Sequence, residues 1–257
     1  MKLYIHQASY FRSDKEDLEI KKELKTRYKL DTRRQDAFIH LAVLGAQRLK
    51  EKTTLYADDE LYITSLLGNT EVLQKTYEYV CKKGDFIRPY DFINMLGNTT
   101  SYYVASSLGV KDKNFYQISD NFTFINTLIS IYASLASSTK RAILGSVDLV
   151  SKPSEISKRL LGMKEDVSLF SSCGYQLLST QAEGAIAEID FSTKIYNQEE
   201  IELFLKTNKK KVMQAQEYEK TLISSIINEN IALKNNLIYI DSYDRKYKIL
   251  ELNLLIK

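Results

Sequence analysis

Histidine, cysteine and tryptophan are scarce or absent in this sequence, and each shortage excludes a kind of chemistry. The two histidines, His6 and His40, lie near the start of the chain, so a mechanism that needs two histidines late in the sequence is excluded. The two cysteines, Cys81 and Cys173, are too few for a disulfide framework and lack the spacing of zinc ligands. Tryptophan is absent, so 18 tyrosines and 10 phenylalanines supply the aromatic packing. We expect neither a metal nor a cofactor.

Neither one sign of charge nor a long apolar run dominates the chain. The 36 basic and 33 acidic side chains give a net charge of +3, without the concentrated basic footprint of nucleic-acid binding. The longest apolar stretch, residues 122–136, is shorter than the ~20 residues that a membrane span requires. The first residues do not form a cationic segment followed by an apolar run, so no signal peptide is expected. We therefore expect a cytoplasmic, reduced globular protein.

Short apolar segments with strand periodicity alternate with longer amphipathic segments, which predicts an α/β layered domain with a mixed sheet. Strands are predicted at residues 2–11, 61–67, 114–118 and 142–147. Helices are predicted at residues 32–50, 71–82, 98–108, 122–136, 199–205 and 217–228. Gly109 is a natural end for the third of these helices. Two hairpins are predicted, one joining residues 175–180 to 185–192 and one joining 237–241 to 247–255.

Three stretches carry a resemblance to a known family. They are TRRQDAFIHLAVLGAQRL at 32–49, FIRPYDFINMLGNTTSYYVASSLGV at 86–110 and YQISDNFTFINTLISI at 116–131. Together with RAILGSVDLVS and QLLSTQAEGAIAEIDF further along, they resemble the N-terminal half of the β-ketoacyl-acyl carrier protein synthases, which have the thiolase-like fold. The resemblance covers roughly residues 30–192. It implies a thiolase-like layered αβα fold, truncated to mainly the N-terminal half.

The resemblance places Asn121 where an active synthase carries its nucleophilic cysteine. Counting from Pro89 through Asn98 and Gly109 keeps the family's register without a gap. A synthase needs a thiolate at a helix N-terminus, and an amide cannot accept the acyl chain. The two histidines that the family uses in its second half are also missing. The resemblance therefore implies no catalytic residue and no enzymatic activity in this chain.

Chain length factors share this character, and the resemblance implies a subunit of that kind from aryl polyene or flexirubin-type pigment systems. Such a subunit pairs with an active β-ketoacyl synthase as a heterodimer and meets the acyl carrier protein indirectly. Its tunnel and interface residues follow by register and are Tyr90, Asp91, Phe92, Met95, Asn98 and Phe122. A bulky side chain at a tunnel end limits product length by exclusion.

The domain organisation follows from the same resemblance. Residues 1–257 are predicted to form a single thiolase-like domain, with residues 193–257 a reduced remnant of the second half. If one half remained alone, the apolar face of its central helix would be open to water, and such faces mark interfaces. We therefore expect a heterodimer subunit or a chain that associates with itself.

Other interpretations of the same residues remain open. The chain could be a malonyl decarboxylase or acyl transferase that uses Ser119, Asp120 or Asn121 in an altered elbow, or an unrelated interaction module. Asn121 could simply cap the following helix. Residues 209–211, three lysines, could meet a carrier protein, although a solvated face is favoured. His40 and Asp36 are four residues apart, which predicts a surface pair.

Overall fold

The computed structural model describes residues 1–13, 17–118, 122–150, 158, 170–208, 212–214 and 223–255. The predictions for Ser119, Asp120 and Asn121 and for the lysines at 209–211 therefore lie outside the described residues. The chain forms one sheet with helices on both faces, as expected for an α/β layered domain.

Nine strands form this sheet, in the order β3-β2-β4-β5-β1-β6-β9-β8-β7. Their bounds are Lys2–Ser13 (β1), Glu60–Ser65 (β2), Asn114–Ile118 (β3), Ala142–Asp148 (β4), Ser171–Ser179 (β5), Ala187–Phe191 (β6), Val212–Gln214 (β7), Leu237–Tyr243 (β8) and Lys246–Leu254 (β9). The helices are Asp17–Thr26 (α1), Ala37–Lys50 (α2), Thr70–Tyr77 (α3), Pro89–Met95 (α4), Gly97–Leu108 (α5), Thr123–Leu135 (α6), Gln198–Thr207 (α7) and Ile223–Ala232 (α8). A π-helical turn, Glu78–Lys82, follows α3.

The sheet contains the same strand arrangement twice, in opposite directions. In the first part the order is β3-β2-β4-β5-β1, and β5 runs antiparallel to both of its neighbours. In the second part β6, β9, β8 and β7 take the places of β1, β5, β4 and β2, and β9 is the antiparallel strand. The two parts meet where β1 pairs antiparallel with β6. Among the described strands, the second part has no counterpart of β3.

One predicted hairpin is wrong and the other is confirmed. Strands β5 and β6 follow one another in sequence, but β1 lies between them and pairs with both. The alternation on either side of Gln181–Gly184 predicts two strands and a turn, and it holds no information about a third strand from the start of the chain. Strands β8 and β9 do form a hairpin. Its turn residues, Asp244 and Arg245, both have positive φ, as two-residue hairpin turns require.

Each face of the sheet has its own apolar core. On one face, α1, α2 and α5 contribute side chains such as Leu24, Phe38, Leu44 and Val104. Helix α2 is buried along most of its length, and His40 on it is 1% exposed, so the predicted surface position of His40 is wrong. On the other face, α6 and α8 contribute Ile125, Leu128 and Ile227 among others.

Helices α6 and α8 link the two parts of the molecule. Lys248 on β9 donates a hydrogen bond of 2.6 Å from Nζ to Oδ1 of Asn126 on α6. Asn228 on α8 donates 2.9 Å from Nδ2 to the carbonyl oxygen of Ser9 on β1. The helix of each part thus bonds to a strand of the other part. The apolar face of α6, which a chain with one half would leave open, is instead covered, and Leu128 and Ile131 are fully buried.

Candidate functional site

Strand β3 and the buried helix α6 flank the short segment where the resemblance predicts a nucleophile elbow. Strand β3 ends at Ile118 and α6 begins at Thr123. The residue before the helix, Phe122, has φ +47° and ψ 28°, the left-handed region that bulky side chains rarely adopt. It is also buried, with 6% of its surface exposed. The placement of Asn121 at the nucleophile position stays a prediction, and the strained residue at this bend is Phe122.

A small cavity of about 20 Å³ lies beside this bend. The residues that line it are Thr64, Ser65, Leu66, Phe122, Thr123, Phe124, Ser146, Asp148, Ile223, Tyr239 and Asp241. A volume of this size is enough for about one water molecule. This cavity is therefore too small to hold an acyl chain.

Asp148 at the end of β4 lines this cavity and is buried. Its Oδ1 accepts hydrogen bonds from Ser65 Oγ at 2.9 Å, Leu66 N at 2.9 Å and Leu67 N at 3.3 Å. Burial raises the pKa of the Asp148 carboxyl to about 7, and the three hydrogen bonds oppose that rise. The carboxyl group fixes the start of the segment that leads from β2 to α3.

A lysine and an aspartate face each other across β8 and β9 at the same site. Asp241 and Lys248 are cross-strand neighbours, and both are buried. Desolvation lowers the pKa of Lys248, and the negative charge of Asp241 opposes this shift. The Nζ atom of Lys248 lies 5.5 Å from the centre of the Phe122 ring. The sequence analysis missed this pair, although Lys248 alternates with Leu250 and Leu252 on the buried side of β9, which is the available signal.

The predicted tunnel residues lie together on α4 and at the start of α5, away from the elbow cavity. Tyr90 and Phe92 are about half exposed, and Met95 is half-buried. Asp91 is buried and pairs with Lys75, with 3.1 Å between Oδ1 and Nζ. Asn98 is exposed. Of the predicted set, only Phe122 lines the elbow cavity.

Exposed apolar side chains surround these residues and extend to β3. They are Leu73, Tyr77, Val80, Phe86, Tyr90, Phe92, Ile93, Leu96, Tyr102, Phe115 and Ile118. We call this surface the β3 face. Helices α3, α4 and α5 contact one another in sequence, and α5 contacts β3. In the described sheet β3 is an end strand that pairs on one side with β2.

A larger cavity of about 480 Å³ lies between the segment before α2 and helix α5. Its walls include Arg33, Arg34, Tyr102 and Tyr103. The guanidinium group of Arg34 lies 5.0 Å from the centre of the Tyr90 ring, which places this cavity next to α4. The two arginines belong to the first stretch of the family resemblance.

Metal-ligating clusters and membrane-spanning helices are both absent from the part of the chain that the structure describes. No group of three or more His, Cys, Asp or Glu residues there could hold a metal ion. None of the described helices combines the length and the apolar character needed to cross a bilayer.

No family model and no curated protein matches the sequence. Solved structures do match it along nearly the whole chain. The ishigamide ketosynthase/chain length factor has a TM-score of 0.69 at 10% identity, over 100% of both chains. A complex of AntDE with AntF, described as a type II PKS acyl-carrier protein with its ketosynthase, has a TM-score of 0.66 at 10% identity, over 99% of both chains. The ketosynthase ApeO with its chain length factor ApeC, from Xenorhabdus doucetiae, has a TM-score of 0.62 at 11% identity, over 98% of this chain and 99% of that chain.

These likenesses show the fold. The chain has the thiolase-like, layered αβα fold of the ketosynthases and chain length factors, with a mixed sheet, and the predicted fold class is confirmed. At 10–11% identity they do not carry function across, so the role of the chain is a proposal.

Proposed function

We propose that this chain is a non-catalytic, chain-length-factor-like partner of a β-ketoacyl-acyl carrier protein synthase. In this role it completes the acyl tunnel of the synthase in the biosynthesis of polyene or fatty-acid-like chains, in a system of the aryl polyene or flexirubin type. The observation that carries the proposal is the β3 face, a set of exposed apolar side chains on α3, α4 and α5 and on β3, the end strand of the described sheet.

The β3 face has the properties of a protein interface. An end strand with apolar side chains offers unpaired N–H and C=O groups to a strand of another chain. Phe115 and Ile118 on β3 are each about half exposed, and Phe86 is 91% exposed. Large exposed apolar side chains in such numbers are costly in water and are typical of association sites. A synthase of the same fold, as in the ketosynthase–chain length factor structures, is the occupant that we propose.

The environments of the cysteines and histidines support a role without catalysis. Cys173 lies in the core, where burial raises the pKa of its thiol to about 12, so it is not a thiolate at neutral pH. Cys81 is exposed in the π-helical turn after α3, in a different part of the chain from the elbow. His40 is buried in α2, and His6 on β1 contacts Ser179 Oγ at 2.8 Å. None of these four side chains lines the elbow cavity.

We further propose that α4 supplies the end of the partner's acyl tunnel. Tyr90 and Phe92 are exposed on the β3 face and Met95 lies on the same helix, half-buried, so a synthase bound to α4 would contact them. Asp91 contributes by fixing α4 through its ion pair with Lys75. We assign the contact with an acyl carrier protein to the synthase, as in the AntDE:AntF complex. This chain would then meet the carrier protein only through the synthase.

Copurification tests the partnership. The tagged chain, expressed in its native host, should recover a ketosynthase in stoichiometric amount. Ile118→Lys places a charge on the edge of β3 and should weaken this association more than tenfold. Ile195→Lys is the matched control, because Ile195 is equally exposed, at 50% against 49%, and lies outside the β3 face. Recovery of no synthase, or equal recovery with both variants, would reject the proposal.

Product length tests the tunnel. In the assembled pair, Met95→Trp should shorten the main product, because a larger side chain at the tunnel end removes space for the growing chain. The measurement is the mass distribution of the released chains. Unchanged products across substitutions at Asp91, Phe92 and Met95 would leave the chain with a stabilising role alone.

A further inference from the structure

Phe122 differs from every other described non-glycine residue with positive φ. The others are Lys29, Arg34, Lys234, Asp244 and Arg245. These five are polar and exposed, whereas Phe122 is apolar and buried. A left-handed backbone is strained for a residue with a β-carbon. Strain of this kind persists where the surrounding structure holds the residue in place, and it concentrates at functional sites.

The surroundings of Phe122 come from both parts of the molecule. Lys248 on β9 lies 5.5 Å from the ring centre and is anchored by its hydrogen bond to Asn126 on α6. Asp241 on β8 is the cross-strand neighbour of Lys248. A cation held against a buried ring stabilises the position of that ring, which opposes the strain of the backbone. The ring is thus fixed between the start of α6 and the second part of the sheet.

The remaining space at the elbow is small and polar. The cavity that Phe122 lines has about 20 Å³, and Thr64, Ser146 and Asp148 contribute polar groups to its walls. A residue at the apex of a strand-to-helix bend projects its side chain into the space where a reacting group would otherwise sit. Here Phe122 is the buried residue immediately before α6, and it lines this cavity.

We infer that Phe122 is an internal plug, which closes this chain's own elbow to acyl thioesters, and that Lys248 holds the plug in position. The inference rests on the proposed function, because it explains how a pair of related subunits offers the substrate a single site, in the synthase. It adds a steric block to the absence of a nucleophile, so restoring a cysteine alone would not restore acyl binding.

Binding of a small acyl thioester to the purified full-length chain tests the plug. The probe is the acetyl thioester of N-acetylcysteamine, whose acyl group is smaller than the phenyl ring, and the measurement is isothermal titration calorimetry. The native chain should show no saturable binding. Phe122→Gly removes the ring and accepts positive φ without strain, so it should bind the probe at least tenfold more tightly than the native chain. Phe122→Leu, which keeps an apolar side chain at the bend, should bind no better than the native chain.

Two further variants separate the plug from general loosening of the core. Phe38→Ala removes a buried ring from the opposite core and should not create binding. Lys248→Met keeps the stem of the lysine without its charge and should give weak but measurable binding. If Phe122→Gly does not fold, Phe122→Asn is the substitute, because Asn tolerates the left-handed region.

The inference is overturned if the native chain binds the thioester as tightly as the glycine variant. It is equally overturned if a folded Phe122→Gly or Phe122→Asn chain shows no binding. These outcomes are independent of copurification with a synthase. A chain that captures its synthase but has no opened site rejects the plug alone, and an opened site in a chain without a synthase partner rejects the proposed function alone.

Discussion

The carboxyl group of Asp148 illustrates how burial and hydrogen bonding compete at a single residue. Three donors converge on its Oδ1, and such bonds favour the ionised form. Complete removal from water favours the neutral form and has the larger effect, which raises the pKa to about 7. The sequence shows Asp148 at the end of a predicted strand, but its environment depends on Ser65, Leu66 and Leu67, which are more than 80 residues away.

Replacement of Asp148 by Asn should change how stability depends on pH. Between about pH 4 and pH 7 the folded chain retains a proton at Asp148 that the unfolded chain releases, so native stability falls as the pH rises. The loss is on the order of 1.4 kcal/mol per pH unit over this window. The Asn variant keeps a hydrogen-bond acceptor and carries no charge. Its free energy of unfolding should therefore exceed that of the native chain by about 2 kcal/mol or more at pH 8.

Urea denaturation at pH 5 and pH 8 measures this difference. The variant and the native chain should be close in stability at pH 5. Ser146→Ala is the control, because it alters the same cavity without removing a titrating group. If the native chain and the Asn variant keep a constant difference across the two pH values, Asp148 is ionised throughout and the inferred effect of burial is wrong.

At the scale of elements, α2 and β5 are in unusually close contact. A Cβ atom at Gly45 would lie 2.5 Å from Sγ of Cys173 and 2.8 Å from the ring of Tyr175. A Cβ atom at Gly145 on β4 would lie 2.4 Å from the same tyrosine ring. Two glycines therefore make room for one fully buried aromatic ring between helix and sheet.

Gly45→Ala should destabilise the protein by about 1–2 kcal/mol. Alanine gains about 1 kcal/mol over glycine within a helix, but overpacking a filled core costs about 1–3 kcal/mol, and here the closest contacts are with a buried sulfur and a buried ring. The midpoint of thermal unfolding measures the result. Adding Cys173→Ala should recover part of the loss. A single variant as stable as the native chain would contradict the close packing.

The two hairpins show which element pairings sequence can predict. The turn of β8 and β9 is local, with Asp244 and Arg245 in the conformation that joins adjacent antiparallel strands. The connection from β5 to β6 gives a similar local pattern, yet β1 lies between these two strands. Tyr4 on β1 pairs with Ser179 of β5 on one side and with Glu188 of β6 on the other. Pairing with a strand so distant in sequence leaves no local signal.

At the scale of the whole molecule, β1 joins the two parts of the sheet. It pairs with β5 over most of its length and with β6 through Lys2–Ile5. Helix α8 of the second part contacts β1 and β5 of the first part, which adds a second connection. The two parts therefore share their cores and are not separate units, although the prediction that residues 193–257 are a reduced second half remains a prediction.

Unfolding should consequently be a single cooperative transition. Because tryptophan is absent, Tyr102→Trp in the first part and Tyr243→Trp in the second give separate fluorescence reporters at exposed positions. Leu250→Ala on β9 removes a fully buried side chain and should cost about 2–5 kcal/mol. It should lower the urea midpoint equally for both reporters. Earlier unfolding at the second reporter alone would show that the parts are independent.

The sequence by itself determined the alternation of strands and helices, the cap at Gly109 and the second hairpin. Each of these follows from periodicity and turn chemistry within a few neighbouring residues. Only the tertiary structure decided that β1 separates β5 from β6, that His40 is buried, and that Lys248 lies against Phe122. The physical reason is that these features depend on contacts between distant segments, such as the Lys248–Asn126 hydrogen bond across 122 residues, whose formation depends on the whole fold.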